Sequence, residues 1–157
     1  HLAAQRSPFA WIMDMVFVWI GVMAIITTYG TGVRYHQVFG GIFGLSLVIT
    51  ALFPHAPLFV GVPVNLLQDQ VHSVFASITG FCFTLLSIGH GFMSRGRQRT
   101  VGIVISIVAL LISLGMMAFP SFMGILQRIM FISAFGCLFF YMKLPQPYQI
   151  YPRGTSE

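Results

Sequence analysis

Five apolar segments with short connections between them constrain the fold of this chain more than any other feature. They occupy residues 9–29, 38–53, 68–92, 100–118 and 122–142. A helix that crosses the hydrocarbon core of a bilayer needs about 20 residues, at a rise of about 1.5 Å each. The second segment is shorter, so we expect its helix to start within the preceding connection. The segment lengths predict membrane spans.

Charged residues are too few to cover a water-soluble surface. They make up 7% of the 157 residues, and hydrophobic residues make up 57%, whereas a soluble domain carries about 25% charged residues. The net charge of +5 comes from eight Lys and Arg against three acidic residues. Because the basic residues cluster in short connections, we interpret them as an orientation signal and expect no binding of nucleic acid.

The pattern predicts an all-α fold, a polytopic membrane helical bundle of five transmembrane helices in one domain over residues 1–157. Cytoplasmic loops are enriched in Lys and Arg. One side of the five-span arrangement holds most of these residues: Arg34, Arg95, Arg97, Arg99, Lys143 and Arg153. The other side has Arg6 and no basic residue in its two connections. We therefore predict the amino terminus of this chain outside, and the carboxyl terminus, with a tail at 143–157, in the cytoplasm.

Small and polar residues recur at three- and four-residue steps, as on helix faces that pack together in membranes. Gly40 and Gly44 have this spacing and predict a close helix approach. The longest series lies in the third segment, and we expect it to face the bundle interior: Asp69, His72, Ser73, Ala76, Ser77, Gly80, Thr84 and Ser87. Such stripes indicate that the segments form one bundle.

The connection at residues 54–67 differs from the others. It contains Pro54, Pro57 and Pro63 but no Lys or Arg. A loop of this composition is too apolar for a solvated linker, so we expect it to lie at the interface or to re-enter the bundle. It is predicted to cap the outer mouth of the bundle.

Most ionisable residues of the apolar segments share one depth, near the outer ends. Such groups are costly in hydrocarbon, so they usually face the interior and have a partner. The simplest pairing joins Arg128 to Asp14, to Asp69, or to both. The candidate ligand-binding site consists of the residues at this depth and in the loop beside it: Asp14, His55, Asp69, His72, Gln127 and Arg128.

Three interpretations of this cluster stay open. It is a buried ion-pair lock, a site where Arg128 holds a lipid head group or a small anion, or a catalytic site. Asp69 and His72, three residues apart, are candidates for an oriented acid–base pair or, with His55, for ligands of one metal ion. Because the sequence contains no HExxH motif, no serine-nucleophile motif and no cysteine ligand, we predict no metal site.

The remaining histidines and both cysteines receive structural interpretations. His36 and His90 lie near the cytoplasmic ends of their segments, where we expect interface anchoring. Cys82 and Cys137 fall in the middle of apolar segments without a CxxC partner, so we expect packing residues. No glycine-rich phosphate loop follows a strand, so no nucleotide or flavin cofactor is expected.

Four short motifs resemble a known family. The first segment opens SPFAWIMD, the second ends in LFP, the third opens with DQVH and the last opens GILQR. Their order is similar, over nearly the whole chain, to that in the bacterial integral membrane proteins grouped as domain of unknown function 998. The resemblance implies carried-over positions at Asp14, Pro54, His72 and Arg128, with Gln127 where an acid can stand. It also implies a bacterial cytoplasmic membrane and a sixth span, preceding the first one seen here.

The family has no assigned activity, so function is predicted from the residues. The first hypothesis is a non-catalytic accessory or lipid- or amphiphile-binding protein with a polar site at the outer leaflet. The alternative is a small membrane-embedded enzyme, a hydrolase or isomerase of a lipid or isoprenoid substrate, that uses Asp69 and His72. Transport is disfavoured because the sequence lacks internal repeats. Membrane lipids are the expected partners, with a membrane protein or a homo-oligomer as a further option.

Overall fold

The computed structural model describes residue 5, residues 8–56 and residues 63–142. Every regular element in these residues is a helix, which confirms the all-α prediction. A 3-10 turn, Pro120–Phe122, precedes the last α-helix, and a π-helical turn, Cys137–Tyr141, continues it. The α-helices are α1 (Ala10–Gly30), α2 (Arg34–Leu52), α3 (Leu66–Met93), α4 (Arg97–Ala118) and α5 (Met123–Gly136).

Four of these helices have the length and apolarity of membrane spans. α1, α2, α3 and the part of α4 up to Met116 contain 21, 19, 28 and 20 residues, and their length and composition suffice to cross a membrane. α5 is a shorter apolar helix. Large apolar side chains also cover the outside of the bundle, as a lipid-facing surface requires; examples are Met15, Phe81, Leu111 and Ile132. These are the features of a membrane protein.

Local residues explain where the helices begin. Gly32 and Gly96 have positive φ angles of 69° and 58°, which favour glycine, and they turn the chain before α2 and α4. The Asn65 side chain accepts hydrogen bonds from two backbone N–H groups in the first turn of α3, as an N-terminal cap does. Because α2 begins at Arg34, the second segment does extend into the preceding connection, as expected.

Consecutive helices pack side by side in antiparallel pairs. The series closes on itself, because α1 contacts the turn Cys137–Tyr141 and the Phe17 ring lies 4.6 Å from the Phe131 ring of α5. The neighbour order is therefore α1, α2, α3, α4, α5 and back to α1. We name the two ends of the bundle the His55 end, with the connection from α2 to α3, and the His90 end, with the connections from α1 to α2 and from α3 to α4.

Glycines allow α1 and α2 to approach at backbone distance. A Cβ added to Gly21 would lie 2.6 Å from the Gly44 carbonyl oxygen, and one added to Gly40 would overlap the Thr28 side chain. Gly41, by contrast, has nothing within 4 Å of such an atom. The close approach predicted at Gly40 and Gly44 is confirmed, and α1 is the helix that makes it.

The core combines large apolar side chains with hydroxyls that bond within their own helices. The Thr28 hydroxyl, for example, donates to the Ala24 carbonyl at 2.7 Å, which satisfies a polar group that is fully buried. Cys82 and Cys137 are buried and unpaired with each other, which confirms their interpretation as packing residues. Phe43 of α2 and Phe83 of α3 are buried with their ring centroids 6.0 Å apart, and Leu47 and Leu86 of the same helices are also buried.

The inward stripe predicted on α3 is wrong at two positions. His72 and Ser87 are buried, but Ser73 and Ser77 are exposed. At Ser73 the reason is helix length, since α3 is longer than α4. Ser77 is at the level of the last turn of α4 and is nevertheless exposed, so at this position α3 is rotated away from the predicted orientation. Gly80 faces the last turns of α4 yet lies near the middle of α3, so the first turns of α3 extend beyond α4 at the His55 end.

Candidate functional site

His55 and Asp69 form a short polar contact at the His55 end. His55 Nδ1 lies 2.5 Å from Asp69 Oδ1, an ion-pair distance when the imidazole is protonated. The same carboxylate oxygen accepts the backbone N–H of Ala56 at 2.8 Å. Asp69 lies in the first turn of α3, where the helix dipole favours negative charge. It therefore ties residues 55–56 to the start of α3.

Gln5, which sequence reasoning missed, joins both ends of the connection between α2 and α3. Its backbone N–H donates to the His55 carbonyl at 2.8 Å, and its side-chain amide donates to the carbonyls of Pro54 and Asn65 at 3.0 and 3.1 Å. Its Oε1 accepts the Asn65 N–H at 3.0 Å. The flanks of the predicted outer loop are thus held at the His55 end, and its middle, residues 57–62, lies outside the described residues.

His72 caps the end of α2. Its Nδ1 lies 2.8 Å from the Phe53 carbonyl oxygen and 3.1 Å from that of Thr50. Because carbonyl oxygens only accept, Nδ1 carries the proton. The last carbonyls of a helix lack partners within that helix, and His72 supplies one from the neighbouring helix. The hydrogen-bonded Asp69–His72 pair that the spacing suggested is not formed, since both side chains bond elsewhere.

Arg128 is exposed on α5, and Gln127 beside it is half-buried. Across the residues that the structure describes, the ion pair found is that of His55 with Asp69. The predicted pairing of Arg128 with Asp14 or Asp69 is therefore wrong. The physical reason is rotation about the helix axes, because Arg128 faces the outer surface of the bundle whereas Asp14 is half-buried on α1.

Asp14 and Arg128 nevertheless share one depth in the bundle. The rings of Phe17 in α1 and Phe131 in α5 are 4.6 Å apart, and each charged residue lies three positions before its ring. Because α1 and α5 run in the same direction, residues the same number of positions before this contact in the two helices lie at the same depth in the bundle. The predicted common depth agrees with the contact, although the two charges do not pair.

A second contact extends this depth to His72. Gly21 in α1 lies beside Gly44 in α2. Asp14 lies seven residues from Gly21, and Thr50, the partner of His72, lies six residues from Gly44 on the same side. Seven and six residues differ by one residue, which is about 1.5 Å along an α-helix, so Asp14 and Thr50 lie at nearly the same depth. We name this depth the polar level, and its residues are Asp14, Thr50, His72 and Arg128.

The three side chains considered as metal ligands do not converge. The His55 and His72 rings lie 5.4 Å apart, but His55 Nδ1 faces Asp69 while His72 Nδ1 faces backbone carbonyls. Within residues 5, 8–56 and 63–142, no three His, Cys, Asp or Glu side chains are placed to hold one metal ion. The metal interpretation of this cluster therefore has no geometric support.

His36 and His90 are a buried pair, so the interface-anchor interpretation is wrong. Both are 1% exposed. His90 Nδ1 lies 3.4 Å from His36 Nε2, and His36 Nδ1 lies 3.3 Å from Thr31 Oγ1. The Thr31 hydroxyl donates to the Thr28 carbonyl at 2.7 Å, so it accepts from His36. His90 Nδ1 therefore donates to His36 Nε2.

The order of the segments in the sequence was enough to predict that these two histidines lie at the same end of the bundle. His36 lies at the start of the second segment and His90 at the end of the third, and adjacent antiparallel helices bring such positions to the same end of a bundle. What the sequence does not show is that both helices are rotated so that the imidazoles face each other.

The chain matches none of the protein-family models, curated proteins or solved structures with which it was compared. The resemblance carried by the four short motifs therefore stays a prediction.

Proposed function

We propose an integral membrane protein with five spans, the fifth formed by α5 and the π-helical turn that continues it. These two elements contain 14 and 5 residues. A helix of their combined length measures about 28 Å, close to the hydrocarbon thickness of about 30 Å. Lipids contact its outer surface, and the same surface offers room for a partner protein or a second copy of the chain.

In this proposal the His90 end faces the cytoplasm. Its connections and the first turns of the helices that follow them carry exposed basic residues, whereas the described parts of the opposite connections carry none. Since Lys and Arg are enriched in cytoplasmic loops, the amino terminus of this chain lies outside and the carboxyl terminus inside. A bacterial cytoplasmic membrane is the location that the family resemblance implies. The exposed basic residues are Arg34, Arg95, Arg97 and Arg99.

The polar level then lies at the outer boundary of the hydrocarbon. His72 and His90 are eighteen residues apart on α3, which corresponds to about 27 Å. A hydrocarbon core of about 30 Å fits this interval. Arg128, at the depth of His72, therefore lies where lipid head groups meet acyl chains.

The function that this arrangement supports best is non-catalytic binding of a lipid or other amphiphile through its head group. The observation that carries the proposal is Arg128, an exposed guanidinium among exposed apolar residues of α5, with no ion pair among the described residues. A charge at this depth is costly unless it reaches a counter-charge or water. Arginine side chains extend towards head groups and bind phosphate oxygens through two parallel hydrogen bonds.

The other polar residues of the candidate site have a structural role in this proposal. Gln5, His55 and Asp69 hold the connection between α2 and α3, and His72 caps α2. The side chains of Gln5, Asp69 and His72 form hydrogen bonds within the protein. The lock and the ligand site, which sequence reasoning placed on one cluster, are therefore assigned to different residues.

A second candidate function is a membrane-embedded hydrolase or isomerase of a lipid or isoprenoid substrate. The observation that favours it is the contact between His55 and Asp69, whose side chains are 34% and 27% exposed. A carboxylate that orients an accessible imidazole is a common arrangement for a general base. In this version His55 replaces His72 as the partner of Asp69.

A native mass spectrum of the protein released from mild detergent tests the lipid proposal. We expect a reproducible adduct of phospholipid mass. The adduct should decrease about fivefold in Arg128→Ala, as a contribution of about 1 kcal/mol per basic residue at a membrane surface predicts. Arg97→Ala removes an exposed arginine at the His90 end and is the matched control, in which the adduct should persist.

Two results would contradict this proposal. If the adduct is equally strong in Arg128→Ala, Arg128 does not hold the lipid. If the protein carries no adduct in any lipid tried, it does not bind lipid in this way. A bound lipid whose mass changes during incubation with the wild type, but not with Asp69→Asn, would favour the enzyme instead.

A further inference from the structure

We propose that the bound lipid is a phospholipid with a net negative head group and that its acyl chain lies in the seam between α1 and α5. This rests on the proposed function and adds the class of lipid and the place of its chain. The seam is formed by three residues of α5 and three of α1: Arg128, Phe131 and Phe135, and Ile12, Val16 and Trp19.

Helical spacing puts Arg128 at the edge of the α5 face that contacts α1. Phe131 and Phe135 lie three and seven residues after it, and such positions share one face of an α-helix. Both rings contact α1, because Phe131 lies 4.6 Å from the Phe17 ring and Phe135 lies 5.8 Å from the Trp19 ring. Arg128 is itself exposed, so it lies at the outer edge of this face.

α1 contributes an apolar, lipid-facing strip to the seam. Ile12, Val16 and Trp19 share one face and are 43%, 40% and 52% exposed. The ring contacts between the two helices place Arg128 at a depth between Ile12 and Val16. An acyl chain that starts at Arg128 and runs towards the bilayer centre therefore passes Val16 first and Trp19 next.

The chemistry of the seam favours a phospholipid over a free anion. Arg128 offers a charge and hydrogen-bond donors to a phosphate, and the seam below it is apolar. A ligand with both a phosphate and an acyl chain gains from both parts, since burying apolar surface is favourable. Inorganic phosphate would gain binding free energy from its contact with Arg128 alone.

The charge of the seam favours a head group with net negative charge. Asp14 is the acidic residue of α1, and it lies seven residues before Gly21, which contacts α2. Asp14 also lies three residues before Phe17, which contacts α5, so it points between these two directions and is half-buried. Among the described residues of α1 and α5, Arg128 is the exposed charged residue, so the seam presents a positive charge to a head group.

Tryptophan fluorescence tests the place of the chain, because the protein has two tryptophans, Trp11 and Trp19. The variant Trp11→Phe leaves Trp19 as the fluorophore in the seam. It is reconstituted in phosphatidylcholine vesicles with a minor fraction of phosphatidylglycerol, and either lipid carries bromine atoms on the upper half of its acyl chain. We expect brominated phosphatidylglycerol to quench Trp19 with an apparent association about fivefold above that of brominated phosphatidylcholine.

Charge variants in the same background separate this site from general attraction to the membrane. Arg128→Ala should remove the fivefold preference, and Arg128→Lys should retain most of it because the charge remains. Arg97→Ala, at the other end of the bundle, should leave it unchanged. In Trp19→Phe, where Trp11 is the fluorophore, the two brominated lipids should quench equally, since Trp11 lies outside the seam.

Equal quenching of Trp19 by the two lipids, or a preference that persists in Arg128→Ala, would overturn the seam proposal. The mass spectrum then separates the two proposals. If an adduct that depends on Arg128 is still present, head-group binding stands and the acyl chain lies elsewhere. If the adduct is also missing, both proposals fail.

Discussion

At the scale of single residues, Gly21 and Gly44 set the distance between α1 and α2. A Cβ added to Gly21 would lie 2.6 Å from the Gly44 carbonyl oxygen, so any side chain there must push the helices apart. Lipid provides no hydrophobic drive for two apolar helices to associate, and close packing of small residues is the main source of their attraction. One methyl group at this position therefore affects the whole helix pair.

We expect Gly21→Ala to destabilise the bundle by about 1–3 kcal/mol, the usual cost of overpacking a tight contact. Gly41→Ala is the matched control, because an added Cβ meets nothing within 4 Å there. Alanine forms helices better than glycine by about 1 kcal/mol, so the control should be neutral or stabilising. Thermal unfolding in detergent measures both, and equal melting temperatures would contradict the close contact.

Among the elements, α3 organises the His55 end of the bundle. Asn65 caps its start, Asp69 in its first turn holds residues 55–56, and His72 one turn later caps the end of α2. Helix ends leave backbone groups without partners, and in an apolar surrounding each such group is costly. The first turns of α3 thus supply the polar partners that the neighbouring chain segments lack.

Replacing His72 tests this capping role. His72→Leu should destabilise the protein by about 1–3 kcal/mol, because the carbonyls of Thr50 and Phe53 lose their donor. In His72→Asn the side-chain amide offers a donor close to the position of Nδ1, so we expect a smaller loss. Hydrogen exchange at the end of α2, together with thermal unfolding, measures the effect. Equal behaviour of the two variants would argue against capping.

At the scale of the whole molecule, two polar layers lie about 27 Å apart along α3. One is the polar level with Asp14, His72 and Arg128, and the other is the buried pair of His36 and His90. An apolar bundle of this thickness, with polar groups at both boundaries, fits a bilayer at one depth of insertion. The exposed arginines beyond His90 give the two ends different charge, which is the basis of the proposed orientation.

Cysteine labelling tests that orientation. Pro63→Cys at the His55 end and Arg95→Cys at the His90 end introduce thiols at exposed positions. The native Cys82 and Cys137 are buried, so they give little background. In intact cells a membrane-impermeant maleimide should label the first variant, and the second should react after the membrane is opened. The reverse pattern would show that the bundle is inserted the other way round.

The sequence alone supported the helical class of the fold, the position of four span-length helices and the common depth of Asp14, His72 and Arg128. Hydropathy and helical rise act along the axis of each segment, and both can be read from residue order. It did not identify Gln5, because a polar residue outside the apolar segments carries no periodic signal. It also paired Arg128 with carboxylates on the basis of depth alone.

Tertiary structure decided what each side chain faces. The rotation of each helix about its axis places Arg128 on the outside and turns His36 towards His90. Because α2 packs on α3, His72 bonds to backbone carbonyls of the α2 end, and Asp69 contacts His55 instead. Those rotations depend on where small residues let two backbones touch, as at Gly21. Depth is a property of one helix and can be read from its sequence, whereas the choice of partner is a property of two helices packed together.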